Sequence, residues 1–134
     1  MQPLWLLDSI GSRLIRDEQQ AFSDLSISSL GNYFLQLGIW GHSNTFTDNT
    51  PIKNRFLITA HSFGEVALVA DLDRLPLQDQ TIDVVFLPHT LEQYDNHLEI
   101  LSSCVNTISE SGSLVALGFN PASLWGVRQL FSGK

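Results

Sequence analysis

Basic residues are scarce in this chain of 134 residues. Lys and Arg number 7 against 14 Asp and Glu, which gives a formal net charge of −7. Nucleic acids and anionic membranes attract proteins through a positively charged surface, so neither is expected as the main partner. Long apolar runs are also absent, since no segment approaches the ~18 residues of a membrane-spanning helix.

Cysteine occurs once, as Cys104, and a buried, reduced thiol is expected there rather than a nucleophile. His42, His61 and His97 have no Cys or carboxylate partners at metal-ligand spacing, so no metal site is predicted. Residues 1–7 lack the charged and apolar regions of a signal peptide, and a cytoplasmic location is the expectation.

A strand, a helix and a second strand are predicted between residues 81 and 121. Residues 82–87 form an apolar run rich in β-branched residues, which ends at Pro88. The helix is predicted from an apolar stripe, it is ended by Ser111 and Gly112, and a second buried strand follows over residues 113–119. The stripe consists of Leu91, Tyr94, Leu98, Leu101 and Val105.

Two strands joined by a helix form a parallel pair. Open α/β sheets bind ligands beyond the carboxyl ends of their strands, so a cleft is expected near Pro88, His89 and residues 119–121. Asp83, inside the first strand of the pair, is interpreted as a structural residue that bonds local backbone N–H groups.

The N-terminal part, residues 1–30, is predicted to hold one or two helices. The apolar face is assigned to Trp5, Leu6, Ile10, Leu14 and Phe22, and the solvated side to Arg13, Arg16, Asp17 and Glu18. The hydrophobic fraction of 43% suffices for the core of one domain over residues 1–134. Within it, residues 31–134 form the α/β core.

Three further segments complete the prediction. Residues 33–38 are predicted as the first strand, followed by a turn at Gly38 to His42, and residues 44–54 as a loop. Residues 55–60 and 65–70 are both strand-like but are separated by four residues with a glycine. Such a short connection favours an antiparallel hairpin. Residues 122–131 are predicted to form a short helix.

Four quoted segments carry a resemblance to a known family. Residues 71–77 read DLDRLPL, residues 81–85 read TIDVV, residues 87–92 read LPHTLE, and residues 118–128 read GFNPASLWGVR. The first two resemble class I S-adenosylmethionine-dependent methyltransferases. The other two are similar to one bacterial branch, the methyltransferase-type-11-like proteins, and the match covers roughly residues 30 to 131.

The resemblance implies an α/β, Rossmann-like methyltransferase sheet. Its strand order is expected near 3-2-1-4-5, mostly parallel, with helices on both faces and without the last two strands of complete relatives. The fifth strand would then be an exposed apolar edge. We expect that edge to be sealed by homodimerisation or by the C-terminal helix.

The family's site can be carried over residue by residue, although Gln36 stands where an acidic residue is usual. The implied cofactor-binding residues are Gly38, Trp40 and Gly41 at the methionine part, Asp71 and Leu72 at the adenine, and Pro88 and His89 at the methyl-transfer face. Trp40 either stacks on the adenine or fills the site. Asp71 either accepts a hydrogen bond from the adenine or ends a strand.

His89 and Glu92 are the candidate catalytic pair. His89 can act as a general base with Glu92 holding its tautomer, or the two can cap and favour a helix that begins near Leu91. The predicted function is transfer of a methyl group from S-adenosylmethionine to a small-molecule acceptor. The alternative is a catalytically inactive domain that serves as a binding or assembly subunit.

Overall fold

A computed structural model describes residues 9–25, 31–42, 44–61, 68–120 and 123–131. Six strands form one sheet in the order β3-β2-β1-β4-β5-β6. The first five are parallel to one another, and β6 is antiparallel to β5. The strands are β1 Tyr33–Leu37, β2 Asn54–Thr59, β3 Leu68–Val69, β4 Ile82–Pro88, β5 Ile108–Asn120 and β6 Ser123–Phe131. The predicted order 3-2-1-4-5 is confirmed.

Helices cover both faces of the sheet, as predicted. Helix α1, Ser9–Asp24, packs Leu14 and Phe22 on one face, where the Phe22 and Phe86 rings lie 4.5 Å apart between centroids. Helix α2, His97–Thr107, packs Ile100 and Cys104 on the other. β1 serves both cores because its side chains alternate between the two faces. Neither described helix is long and apolar enough to cross a membrane.

The buried stripe of α1 includes a carboxylate. Glu18 is 7% exposed, so the prediction that it lies on the solvated side is wrong. It follows Leu14 by four residues and precedes Phe22 by four, and residues at that spacing share one face of a helix. Trp5 and Leu6 lie outside the described residues.

The helix after β4 begins later than predicted. Leu91–Gln93 is a single 3-10 turn, Tyr94 is extended, and α2 starts only at His97. This break interrupts the apolar stripe, so the residues of α2 do not continue the helical spacing that starts at Leu91. Leu98 and Val105 are exposed, while Ile100 is buried. The predicted face of the helix is therefore wrong.

Strand β5 also starts earlier than predicted, directly after α2. Ser111 and Gly112 lie inside it, in an irregular stretch where the register with β4 shifts between Ile82 and Val84. Cys104 is fully buried, as expected, and burial raises the pKa of its thiol to about 12.

Asp83 anchors the amino edge of the sheet beside this irregular stretch. Its Oδ2 accepts hydrogen bonds from the backbone N–H groups of Asn32 and Tyr33, at 2.7 and 3.0 Å. Its Oδ1 accepts one from the Ser109 hydroxyl at 3.0 Å. The structural role predicted for Asp83 is confirmed, but the backbone groups that it bonds are 50 and 51 residues away in the sequence and are not local.

Strands β2 and β3 are parallel, so the predicted hairpin is wrong. Ile58 pairs with Leu68 and Thr59 with Val69. The ladder holds only two residue pairs, at the carboxyl end of β2. Strands that pair over so short a length can be parallel without the long crossover that full-length parallel pairing requires. Residues 62–67 lie outside the described residues. The parallel direction of β3 places Asp71 at the same edge of the sheet as the end of β1.

Residues 123–131 form a strand, not the predicted helix. β6 runs antiparallel to β5, from Ser113 opposite Phe131 to Asn120 opposite Ser123. The expectation that both last strands of the family are absent is wrong for this one. β6 pairs with the backbone groups of β5 that were expected to be open, which removes the reason for sealing that edge by a dimer. Residues 44–53 form a loop with one 3-10 turn, Thr47–Asn49, as predicted.

Candidate functional site at the carboxyl edge of the sheet

A glycine turn follows β1 at the carboxyl edge. Gly38 has φ +84° and Gly41 φ +82°, a region where a Cβ is strained. The Gly38 N–H donates to the carbonyl of Ile58 at 2.8 Å, and the Thr90 hydroxyl donates to the carbonyl of Leu37 at 2.5 Å. The ends of β1, β2 and β4 are therefore joined at this turn.

Gln36 presents an unused acceptor beside the turn. Its side chain is fully buried, and its Nε2 donates to the carbonyl of Gly38 at 2.9 Å. Its Oε1 is buried without a hydrogen-bond partner. Since a buried acceptor without a donor costs about 1–3 kcal/mol, this atom is suited to a ligand that brings an N–H group.

A cavity of about 270 Å³ lies on the α2 side of the sheet, at the same edge as the turn. It lies where β2 and β3 end, and its wall combines apolar and polar side chains. The lining residues include Ala60, Asp71, Leu72, Tyr94, Asn96 and Ile100. Burial raises the pKa of the Tyr94 hydroxyl. The Asp71 side chain is 73% exposed and lies 3.8 Å from that of Arg74, so it borders solvent.

A larger cavity, of about 480 Å³, lies along α2. It extends to Asp79 and Thr107, which precede β4 and β5 and so lie at the amino edge of the sheet. Ligands of open α/β sheets bind at the carboxyl edge. The smaller cavity is therefore the better candidate.

Trp40 is packed inside the protein. It is 2% exposed, and its Nε1–H donates to Glu18 Oε1 at 2.8 Å. Its indole lies on the ring of His89, with centroids 4.1 Å apart and planes at 33°. Of the two alternatives for Trp40, this placement favours the one in which it fills the site.

His89 lies directly after β4, with φ +57° and 1% exposure. Its Nδ1 is 2.6 Å from Glu92 Oε1, and its Nε2 contacts Glu18 Oε2. Burial by itself lowers the pKa of His89, but the hydrogen bonds and charges of Glu18 and then Glu92 outweigh it, so the pKa is raised. We call Glu18, Trp40, His89 and Glu92 the His89 cluster.

The predicted site residues thus fall into two groups. Gly38, Gly41, Asp71 and Leu72 lie around the turn and the cavity, whereas Trp40 and His89 are buried in the His89 cluster. Pro88 is buried at the end of β4, opposite Leu117. The helix cap proposed for His89 and Glu92 is wrong, because α2 begins at His97 and Glu92 instead contacts the imidazole.

Two residues of the candidate site, Glu18 and Tyr94, were not predicted from the sequence. The apolar spacing of Leu14 and Phe22 brackets Glu18 and is a signal for its burial. The partners of Glu18, however, are 22 and 71 residues away, and no local pattern points to them. Tyr94 was assigned to a helix stripe and instead lines the cavity. Among the described residues, no group of three or more His, Cys, Asp and Glu is placed to hold a metal ion.

The chain matches a family model and a curated relative. The model, described as a methyltransferase domain, matches residues 47–116. Uncharacterized protein YafS of Escherichia coli K12 is 37% identical over 65 residues, which are 48% of this chain and 27% of that protein. The chain thus spans about a quarter of the length of this relative.

Solved structures show the same fold. A possible histamine N-methyltransferase from Thermotoga maritima has a TM-score of 0.69 at 18% identity, covering 87% of this chain and 56% of that one. A protein from Pyrococcus horikoshii has a TM-score of 0.65 at 15% identity, covering 87% and 58%. Mitomycin 7-O-methyltransferase MmcR has a TM-score of 0.61 at 15% identity, covering 81% and 37%.

Proposed function

This chain belongs to the methyltransferase domain family, and on that premise we propose that it binds S-adenosylmethionine and transfers a methyl group to a small-molecule acceptor. The observation that carries the proposal is the convergence of the Gly38 turn and the Asp71 cavity at one edge of the sheet. That convergence depends on the parallel direction of β3.

The methionine part of the cofactor is proposed to lie at the Gly38 turn. Gln36 Oε1 is buried there without a partner, and the ammonium group of the cofactor would supply the missing donor. Gln36 thus does, with a neutral amide, what the family's acidic residue does with a charge. The amide keeps its second bond to the Gly38 carbonyl, which a carboxylate would repel.

The adenine is proposed to lie in the 270 Å³ cavity. Leu72 and Tyr94 supply apolar and aromatic surface to a flat base, and Asp71 supplies an acceptor for its amino group. Asp71 is exposed enough to be reached, and its contact with Arg74 is a surface pair worth about 0–1 kcal/mol, which a ligand can replace.

The bound cofactor supplies an electrophilic methyl group on a sulfonium, and this chemistry needs alignment of the acceptor more than a strong base. The protein's part is then to bind and orient. Pro88, His89 and Glu92 follow β4, the neighbour of β1 on the side away from β2 and β3. The acceptor is proposed to bind there, at the exposed part of Glu92.

A second candidate function is a non-catalytic binding or assembly domain. The observation that favours it is the burial of the two rings of the His89 cluster, because Trp40 is only 2% and His89 only 1% exposed. Such a domain has no need of the cofactor, so the two candidates differ in cofactor affinity.

Calorimetric titration with S-adenosylmethionine and S-adenosylhomocysteine tests the proposal. We expect a Kd in the micromolar range, on the order of −8 kcal/mol. Gln36→Leu keeps the site buried but removes the acceptor, and should weaken binding about tenfold. Asp71→Asn should also weaken it. The matched control is Asp79→Asn, which makes the same charge change at the amino edge and should leave the affinity unchanged.

The outcome that sinks the proposal is an absence of heat and of thermal shift at about millimolar ligand with a folded wild-type protein. That result would favour the non-catalytic alternative. Tight binding that neither Gln36→Leu nor Asp71→Asn weakens would place the cofactor elsewhere.

A further inference from the structure

The His89 cluster joins three parts of the chain that are distant in sequence. Glu18 comes from α1, Trp40 from the turn after β1, and His89 and Glu92 from the segment after β4. Each ring nitrogen of His89 contacts a carboxylate oxygen, and the face of the ring contacts the indole. This arrangement fixes the ring on three sides.

The contacts of its two nitrogens bear on the protonation state of this imidazole. A carboxylate only accepts hydrogen bonds, and a neutral imidazole has one donor nitrogen and one acceptor nitrogen. A neutral ring would therefore need a proton on one of the two glutamates, whereas an imidazolium donates from both nitrogens to two carboxylates. The indole on the ring and the raised pKa of His89 favour the imidazolium.

We infer that Glu18 is a positioning residue, which, with Glu92, holds His89 as an imidazolium against Trp40 and so prevents it from acting as a general base. Both protons of the ring are engaged with carboxylates, and the ring is 1% exposed. His89 has no basic lone pair to offer to an acceptor. It instead orients the Glu92 carboxylate, whose side chain is 38% exposed and so reaches the surface.

The charge of the cluster gives Glu18 a further role, which rests on the proposed function. The second carboxylate makes the cluster more negative by one charge than an imidazolium with Glu92 alone. The sulfur of S-adenosylmethionine carries a positive charge, whereas the sulfur of S-adenosylhomocysteine is uncharged. A more negative cluster therefore favours the methyl donor over the product.

The groups that face His89 are identifiable for a titration. Two carboxylates contact the ring, those of Glu18 on α1 and of Glu92 on the 3-10 turn after β4. The loop after β1 contributes the Trp40 indole. Strand β5 contributes the backbone carbonyl of Leu117, which accepts a hydrogen bond from the backbone N–H of His89. The aromatic face also favours the charged form, through a cation–π interaction.

Nuclear magnetic resonance of protein with isotope-labelled histidine tests the inference without any cofactor. The His89 signals are assigned by their loss in His89→Gln. At pH 6.5, the ordinary pKa of histidine, both ring nitrogens of His89 should be protonated in most molecules of the wild type, because its pKa is raised. In Glu18→Gln, the midpoint of the His89 titration should move to lower pH by roughly one unit, the size expected for loss of an adjacent opposite charge.

Asp17→Asn is the matched control, because it removes the same charge from the neighbouring, exposed position of α1 and should leave the midpoint unchanged. Should Glu18→Gln fail to fold, Glu92→Gln at the half-exposed position must lower the midpoint in its place. A neutral His89 ring in the wild type, or the same midpoint in Glu18→Gln and wild type, would overturn the inference.

Calorimetry then separates this inference from the proposed function. Glu18→Gln should reduce the ratio of affinities for S-adenosylmethionine over S-adenosylhomocysteine, whereas Asp17→Asn should not. An unchanged ratio refutes the charge role. If the wild type binds neither ligand, the proposed function fails, while the protonation measurement still decides the state of His89.

Discussion

Replacing Gly38 by alanine tests the turn on which the candidate site is built. Gly38 has φ +84°, a left-handed conformation that costs a residue with a Cβ about 1–2 kcal/mol. The new Cβ would also lie 2.8 Å from the Thr90 hydroxyl oxygen, which is closer than real Cβ contacts allow. Two separate penalties are therefore expected at one position.

The size of the second penalty, the clash with the Thr90 hydroxyl, depends on what it costs to move that hydroxyl. Its hydroxyl is buried and donates to the Leu37 carbonyl, so moving it away from the Cβ breaks that hydrogen bond, at about 1 kcal/mol. Together the two penalties predict a loss of about 2–3 kcal/mol in the free energy of unfolding for Gly38→Ala. Thr90→Ala by itself removes both the clashing atom and that hydrogen bond, so Gly38→Ala made in the Thr90→Ala background should cost only the backbone strain of about 1–2 kcal/mol.

Urea unfolding followed by tryptophan fluorescence measures the loss, because Trp40 is buried in the folded protein. Gly118→Ala is the control, since a Cβ at Gly118 would meet its nearest atom, Glu92 Cδ, at an ordinary 3.8 Å. It should change stability by less than about 0.5 kcal/mol. Equal stabilities of Gly38→Ala and Gly118→Ala would refute the reasoning about the turn.

Two further predictions concern titratable groups. The pKa of His89 is raised above 6.5, so its stabilising contribution is complete below pH 6.5 and is lost as the pH rises through the folded pKa. The free energy of unfolding in urea should therefore fall as the pH rises above 6.5, and a fall of the same size in Glu18→Gln would contradict the assignment. Cys104 is fully buried and its thiol pKa is raised to about 12, so iodoacetamide at about pH 8 should modify the native protein far more slowly than the urea-unfolded chain. Equal rates would contradict its burial.

The strands of the sheet were largely predictable because their signals are local. The apolar, β-branched run over 82–87 became β4, and the run before Gly38 became β1. Because a helix connects β4 and β5, the two strands were predicted to be parallel, and the structure confirms this. Its buried face was mispredicted, because the extended residue Tyr94 interrupts a stripe that looks continuous in the sequence.

The direction of β3 and the fate of residues 123–131 were not readable in this way. A short connection with a glycine indicates a hairpin only if the strands pair over their full length, and β2 and β3 share two pairs. The segment that became β6 carries apolar residues compatible with a helix or a strand. Its conformation was decided by the unpaired edge of β5, which offered backbone hydrogen bonds.

The sequence by itself determined the α/β class, the family and the glycine turn after β1. These follow from periodicity, from residue types and from motifs of adjacent residues. Only the tertiary structure decided that Glu18 is buried, that it meets His89 and Trp40, and that Gln36 keeps one acceptor without a partner. Whether a polar group is paired depends on atoms brought together from distant parts of the chain, and the pattern of neighbouring residues holds no record of them.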